Sequence, residues 1–139
     1  MNVRLYFVVF ASVCYAISLF CGIFILEKSG PSSFVLGFVC LFFGWIHLAW
    51  YANPLLLAAI VPHLLKRDRI VIILAIIALL VALDTLTLDR IARDEAGNEE
   101  RIVGYQIGFY LWLASIVSVL LSSLVKSVRA KRLKEQQAG

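Results

Sequence analysis

Four long stretches with almost no charge constrain this chain more than anything else in it: Leu5 to Leu26, Phe34 to Leu65, Ile70 to Leu83 with an extension past Asp84 to Leu88, and Ile102 to Val125. A helix needs about 20 apolar residues to cross a hydrocarbon layer of about 30 Å. The chain is 62% hydrophobic with a mean hydropathy of +0.92, well above the roughly 45–50% apolar content of a soluble domain. The connections between runs are too short to hold a soluble domain. The expectation is an all-α integral membrane protein, a four-helix transmembrane bundle forming one domain over residues 1–139, with a basic tail from 126 to 139.

The first run is too long for the apolar core of a signal peptide, about 7–15 residues, and no small-x-small site follows it before Glu27 and Lys28, so it reads as a retained span. Phe20 before Cys21 argues against a lipoprotein cysteine. Cys14, Cys21 and Cys40 lie inside spans and are odd in number. They read as small apolar residues rather than disulfide partners.

Basic loops stay on the cytoplasmic side. Four spans place the N-terminus, the Lys66–Arg69 loop and the tail on one face, with nine basic residues against two acidic; the other face has four against seven. Both termini are therefore expected in the cytoplasm. This asymmetry accounts for the basic pI of 9.2 without a nucleic-acid partner.

Within span 1, Cys14, Ser18, Cys21 and Gly22 form a stripe of small residues suited to close helix approach. Gly30-Pro31 breaks the chain, and Ser32 or Ser33 is the expected N-cap of the next helix. Span 2 runs 34–65, about 48 Å as a straight helix, more than one crossing needs. The break is written at Asn53-Pro54: proline lacks the helical N–H, and Asn-Pro is a natural start for a new helix. Asn53 falls about 18 Å from the cytoplasmic interface, near mid-bilayer. Span 3 is apolar around its whole circumference until Asp84. Span 4 opens with Gly104 and Gly108 in a GxxxG and continues with Ser115, Ser118 and Ser122 on nearly the same face, a packing groove for another helix. Trp50, Tyr105, Tyr110 and Trp112 read as aromatics at the head-group level. Residues 89–101 read as a small hairpin outside the membrane, turning at Ala96-Gly97-Asn98.

Intramembrane polar residues are functional candidates by default. His47, Asn53, Pro54 and Asp84 form the candidate polar site. His47 can ligate haem, relay protons or simply bond another helix, whereas His63 falls at the interface. Asp84 lies near the outer end of span 3, where water, Arg90 or Tyr105 can partner it. The acidic residues of the outer loop lack the register of a dedicated calcium loop. The basic tail can touch anionic head groups. No nucleophile with base and acid, metal cluster or glycine-rich phosphate loop is visible, so neither a cofactor nor an enzyme is expected.

The segments GWIHLAWYANPLLL (Gly44 to Leu57) and DEAGN with IVGYQIGFYLWLAS (Asp94 to Ser115) resemble a group of small, four-span, uncharacterised bacterial membrane proteins. The resemblance covers spans 2 to 4. It implies a bacterial inner-membrane location and lends weight to Trp50, Asn53, Pro54, Gly104, Tyr105, Gly108, Tyr110 and Trp112, but supplies no activity. The functional expectation is a non-enzymatic interaction protein acting through helix contacts: a homo-oligomeric scaffold, an accessory subunit or an immunity-type protector. The alternatives are a small channel or carrier with a path near Asn53 and His47, or a membrane enzyme or haem-binding subunit using His47.

Overall fold

The computed structural model describes residues 3–32, 48–92 and 98–138. Among these are four α-helices and four short strands: α1 (Val3–Leu19), β1 (Phe24–Leu26), β2 (Gly30–Pro31), α2 (Ala52–Leu64), α3 (Asp68–Leu83), β3 (Arg90–Ala92), β4 (Glu99–Tyr105) and α4 (Ile107–Ala138). A 3-10 turn at Leu48–Tyr51 leads into α2, and another at Asp84–Thr87 follows α3. The protein is mostly helical. Asp68–Thr87 and Ile107–Val128, with mean hydropathies of 2.8 and 2.0, are long and apolar enough to cross a membrane; Leu5–Leu19 and Leu48–Leu64 are apolar but shorter.

Each helix buries a narrow stripe. On α1 it is Ala11, Cys14 and Ser18, and on α2 it is Ala52, Asn53, Leu56, Ala59 and His63. On α3, Val71, Ala75, Ala78 and Ala82 recur at four, three and four residues, the helical repeat. So α3 is apolar all round, yet its inward face is picked out by alanine. Small stripes let helix backbones approach closely. α4 is the central element, packing on α1 along one side and α3 along another, while α3 also packs on α2. The larger apolar side chains point outward, among them Phe10, Val61, Ile73, Leu80 and Leu121.

The strands correct the all-helical expectation. The last residues of the first apolar run, Phe24–Leu26, and the first of the fourth, Ile102–Tyr105, are extended and pair antiparallel, Phe24 opposite Tyr105 and Leu26 opposite Ile102, with an irregularity between Ile25 and Leu26. β2 folds back on β1 and β3 on β4, giving one sheet in the order β2-β1-β4-β3. Its inner face joins Phe24, Leu26 and Ile91 in a small core. Hydropathy could not separate these segments from helix, because a strand buried against helix ends is as apolar as a span.

The Ser32 hydroxyl accepts from the N–H groups of Ile23 and Phe24, at 3.2 and 3.1 Å, and closes the β1–β2 hairpin; the helix start expected to be capped by Ser32 or Ser33, and Cys40, lie outside the described residues. The hairpin expected over 89–101 is present as β3–β4, with Arg90 opposite Arg101; its turn at residues 93–97 is not described. The break at Asn53-Pro54 appears as the change from 3-10 turn to α-helix, with Tyr51 rather than Asn53 at the N-cap. Pro54 then sits in the first turn, where its missing N–H has no helical partner to lose.

Candidate functional site

Asn53 and Trp112 are brought together. Asn53 is 6% exposed, and its Oδ1 accepts from the Trp112 indole Nε1 at 2.9 Å. Trp112 is buried, so it is not a head-group anchor. Ten residues further along both helices lies a second contact. His63 is buried at 1% exposure, with Nδ1 3.2 Å from Ser123 Oγ and Nε2 3.5 Å from Ser122 Oγ. Ser122 gives its own proton to the Val119 carbonyl at 2.9 Å.

Both contacts span the same sequence offset, 59 residues for Asn53–Trp112 and for His63–Ser122. Helices that advance together at constant offset run parallel and in register. α2 and α4 are thus clasped at both ends of α2. Within a bilayer such bonds set register more than they add stability, averaging about 0.6 kcal/mol.

A serine hydroxyl 3.2 Å from an imidazole also has the geometry of a nucleophile and its base. Here Ser123 is fully buried and Ser122 occupies the other ring nitrogen, the position an orienting acid takes in such a set. The pair reads as a clasp. Ser115 and Ser118 are buried too, but their hydroxyls return to their own helix, to the Trp112 carbonyl at 2.6 Å and the Ala114 carbonyl at 2.7 Å. This serine stripe is therefore spent inside the chain.

The glycines depart from the helical GxxxG reading. Gly104 lies in β4, facing Ile25 across the ladder, and does not share a helix with Gly108. Gly108, in the first turn of α4, donates its N–H to the Gly22 carbonyl at 3.1 Å. A Cβ added there would lie 2.6 Å from that oxygen and 2.9 Å from the Cys21 carbonyl. Tyr105, also in β4, donates its hydroxyl to the Thr85 carbonyl at 3.1 Å and stacks on Phe109 with ring centroids 4.4 Å apart. Burial, and then the nearby Asp89 and Tyr110, push its phenol above the usual range. Tyr110 is 56% exposed.

Asp84 opens the second 3-10 turn half-buried, with the Thr87 hydroxyl on its carbonyl at 2.8 Å. Tyr105 reaches the neighbouring Thr85 carbonyl, not Asp84. Trp50 is half-buried, and its indole nitrogen is enclosed without a hydrogen-bond partner among the described residues. His47 lies outside the described residues.

Sequence reasoning missed two features. His63 was placed at the interface, although it falls on the same stripe as Asn53, Leu56 and Ala59 at spacings of three and four, which is the signal that finds it. Glu100, read only as part of an acidic loop, is 6% exposed; its Oε1 accepts from the Lys28 and Ser29 N–H groups and its Oε2 from the Ser29 hydroxyl at 2.6 Å. Partners 71 and 72 residues apart leave no local trace. No protein-family model, curated protein or solved structure matches this chain.

Proposed function

We propose that this chain is a non-enzymatic interaction protein of the bacterial inner membrane. It is a multi-pass bundle with both termini cytoplasmic and the sheet outside, binding other membrane helices as an oligomeric scaffold, an accessory subunit or an immunity-type protector. The observation that carries this reading is the closure of the seam: Asn53 with Trp112, and His63 with Ser122 and Ser123, bond one another in buried positions. Groups that serve a solute or a reaction need a face turned toward it.

The outward faces support the same reading. α1 presents Leu5, Tyr6, Val9, Phe10, Val13 and Ile17, all about half exposed or more, a broad surface for lipid or a partner helix. Because the serine stripe of α4 packs within the chain, a partner meets outward faces such as this one. The cleft between α1 and α2, about 200 Å³ and floored by Val119, is lined almost wholly by apolar side chains, which suits packing rather than passage of a polar solute.

Flux through proteoliposomes tests this against a channel or carrier. Wild type and Asn53→Leu should be equally silent to ions and small solutes, and the purified protein should show no Soret band. Capture from native membranes should return a membrane protein, or further copies of this chain, in fixed ratio. Flux in wild type that Asn53→Leu abolishes would overturn the reading and install the carrier.

A further inference from the structure

The segment Lys28–Pro31 is held between two fixed posts. On one side the Glu27 N–H bonds the Arg101 carbonyl at 3.0 Å, and on the other Ser32 N–H bonds the Phe24 carbonyl at 2.8 Å. Between them the chain turns through Gly30 at φ +72° and pairs with β1 over only two residues. What pins the turn to β4 is the Glu100 carboxylate, reached by two backbone N–H groups and the Ser29 hydroxyl. Glu100 sits on the inner face of β4 opposite Ile91, largely out of water.

We propose that Glu100 is an acid-sensitive latch, releasing the Lys28–Pro31 flap from the sheet when its carboxyl is protonated. An ionised carboxylate is acceptor-only and can serve all three donors; a carboxylic acid carries a proton and loses much of that capacity. The latch is therefore closed while the carboxylate is ionised and is lost as pH falls far enough for the carboxyl to take up its proton. Among the described residues, the charged neighbours on the elements around it are Glu27 and Lys28 on the turn, Asp89 and Arg90 beside and within β3, and Glu99 and Arg101 flanking it on β4, all exposed. Release stays local, because Glu27, Ser32 and the β1–β4 ladder do not depend on the carboxylate. That the flap meets the acidity outside the cell rests on the orientation proposed above.

The test uses the full chain in phosphatidylcholine nanodiscs, where both faces meet the same buffer and orientation cannot affect the result. The Lys28 and Ser29 amide resonances should shift together as pH is lowered, with one midpoint, and the flap should broaden. In Glu100→Gln both amides should hold the low-pH position throughout. Ser29→Ala, which keeps the carboxylate and removes one donor, should raise the midpoint by about one pH unit, the worth of one charge-assisted bond. Amides that stay fixed while the Glu100 carboxyl titrates, or a Ser29→Ala midpoint that does not move, would overturn the latch.

Discussion

The N–H of Gly108 donates to the carbonyl of Gly22 across 3.1 Å, joining the first turn of α4 to the chain just after α1. This contact puts helix and sheet in one frame: the next donor back, the Gln106 side chain, bonds the Phe24 carbonyl at 2.5 Å, and its backbone N–H bonds the Ile23 carbonyl at 2.9 Å. Both glycines are required by space. A side chain at 108 meets the backbone carbonyls of Gly22 and Cys21, and one at 22 meets the Ser32 backbone carbonyl as well as the Gln106 amide; backbone cannot yield as a flexible side-chain tip can.

Gly108→Ala is accordingly expected to cost about 1–3 kcal/mol, the usual penalty of forced overpacking, and Gly108→Leu more. The loss should appear in thermal unfolding of the monomer itself. A variant with monomer stability intact and a dissociated oligomer would place Gly108 at a contact between chains instead.

The Asn53–Trp112 bond can be measured by a double-mutant cycle with Asn53→Leu and Trp112→Phe. The expected coupling is about 0.6–1.7 kcal/mol, the range found for hydrogen bonds between membrane helices. Additive losses would mean that the two side chains act independently.

How far this architecture could be read from sequence depends on what each signal encodes. Residues 68–83 were legible because helix and apolar run coincide, and the β3–β4 hairpin because its strands are close in sequence. The start of α2 was legible from a property local to Asn53-Pro54. Phe24–Leu26 and Ile102–Tyr105 were not, because their extended state is imposed by pairing across some 80 residues. Trp112 was misplaced for a similar reason: an indole at a helix start suits a head-group boundary, and only the position of Asn53 shows that it turns inward. The serine stripe was legible as a contact face, while its partner was not.

The end of α2 carries strain that a single change should relieve. Lys66 has φ +62°; its N–H bonds the His63 carbonyl at 3.2 Å, and the Arg67 N–H bonds the Pro62 carbonyl at 2.9 Å. This paired closure favours glycine at the left-handed position, and a residue with a Cβ costs roughly 1–2 kcal/mol there. Lys66→Gly should raise stability by about 1 kcal/mol in denaturant or thermal unfolding, less the small loss of a cation at a helix C-terminus. A destabilised variant would show that the lysine makes a contact worth more than the strain.

Alkali should act on Tyr105. Its phenol is raised in the folded state, so its contribution is complete below the unfolded value of about 10 and is lost as pH rises through the folded value. Deprotonation also removes the donor to the Thr85 carbonyl. Stability of the sheet–helix junction, followed by near-ultraviolet circular dichroism, should fall above about pH 10, and Tyr105→Phe should flatten that fall. An unchanged alkaline limb in the variant would assign it to another tyrosine.

The central claim, a multi-pass membrane protein with its sheet outside and its termini inside, is tested most directly by cysteine accessibility in intact cells. Asn98, at the edge of β4, and Gln136, near the end of α4, are both exposed, so a cysteine at either is open to whichever solvent it faces. After the native cysteines are replaced by serine or alanine, a membrane-impermeant thiol reagent should label Asn98→Cys in cells whose outer membrane admits it. It should label Gln136→Cys only after lysis. The reverse pattern would invert the orientation, and labelling of both positions in intact cells would contradict the transmembrane account itself.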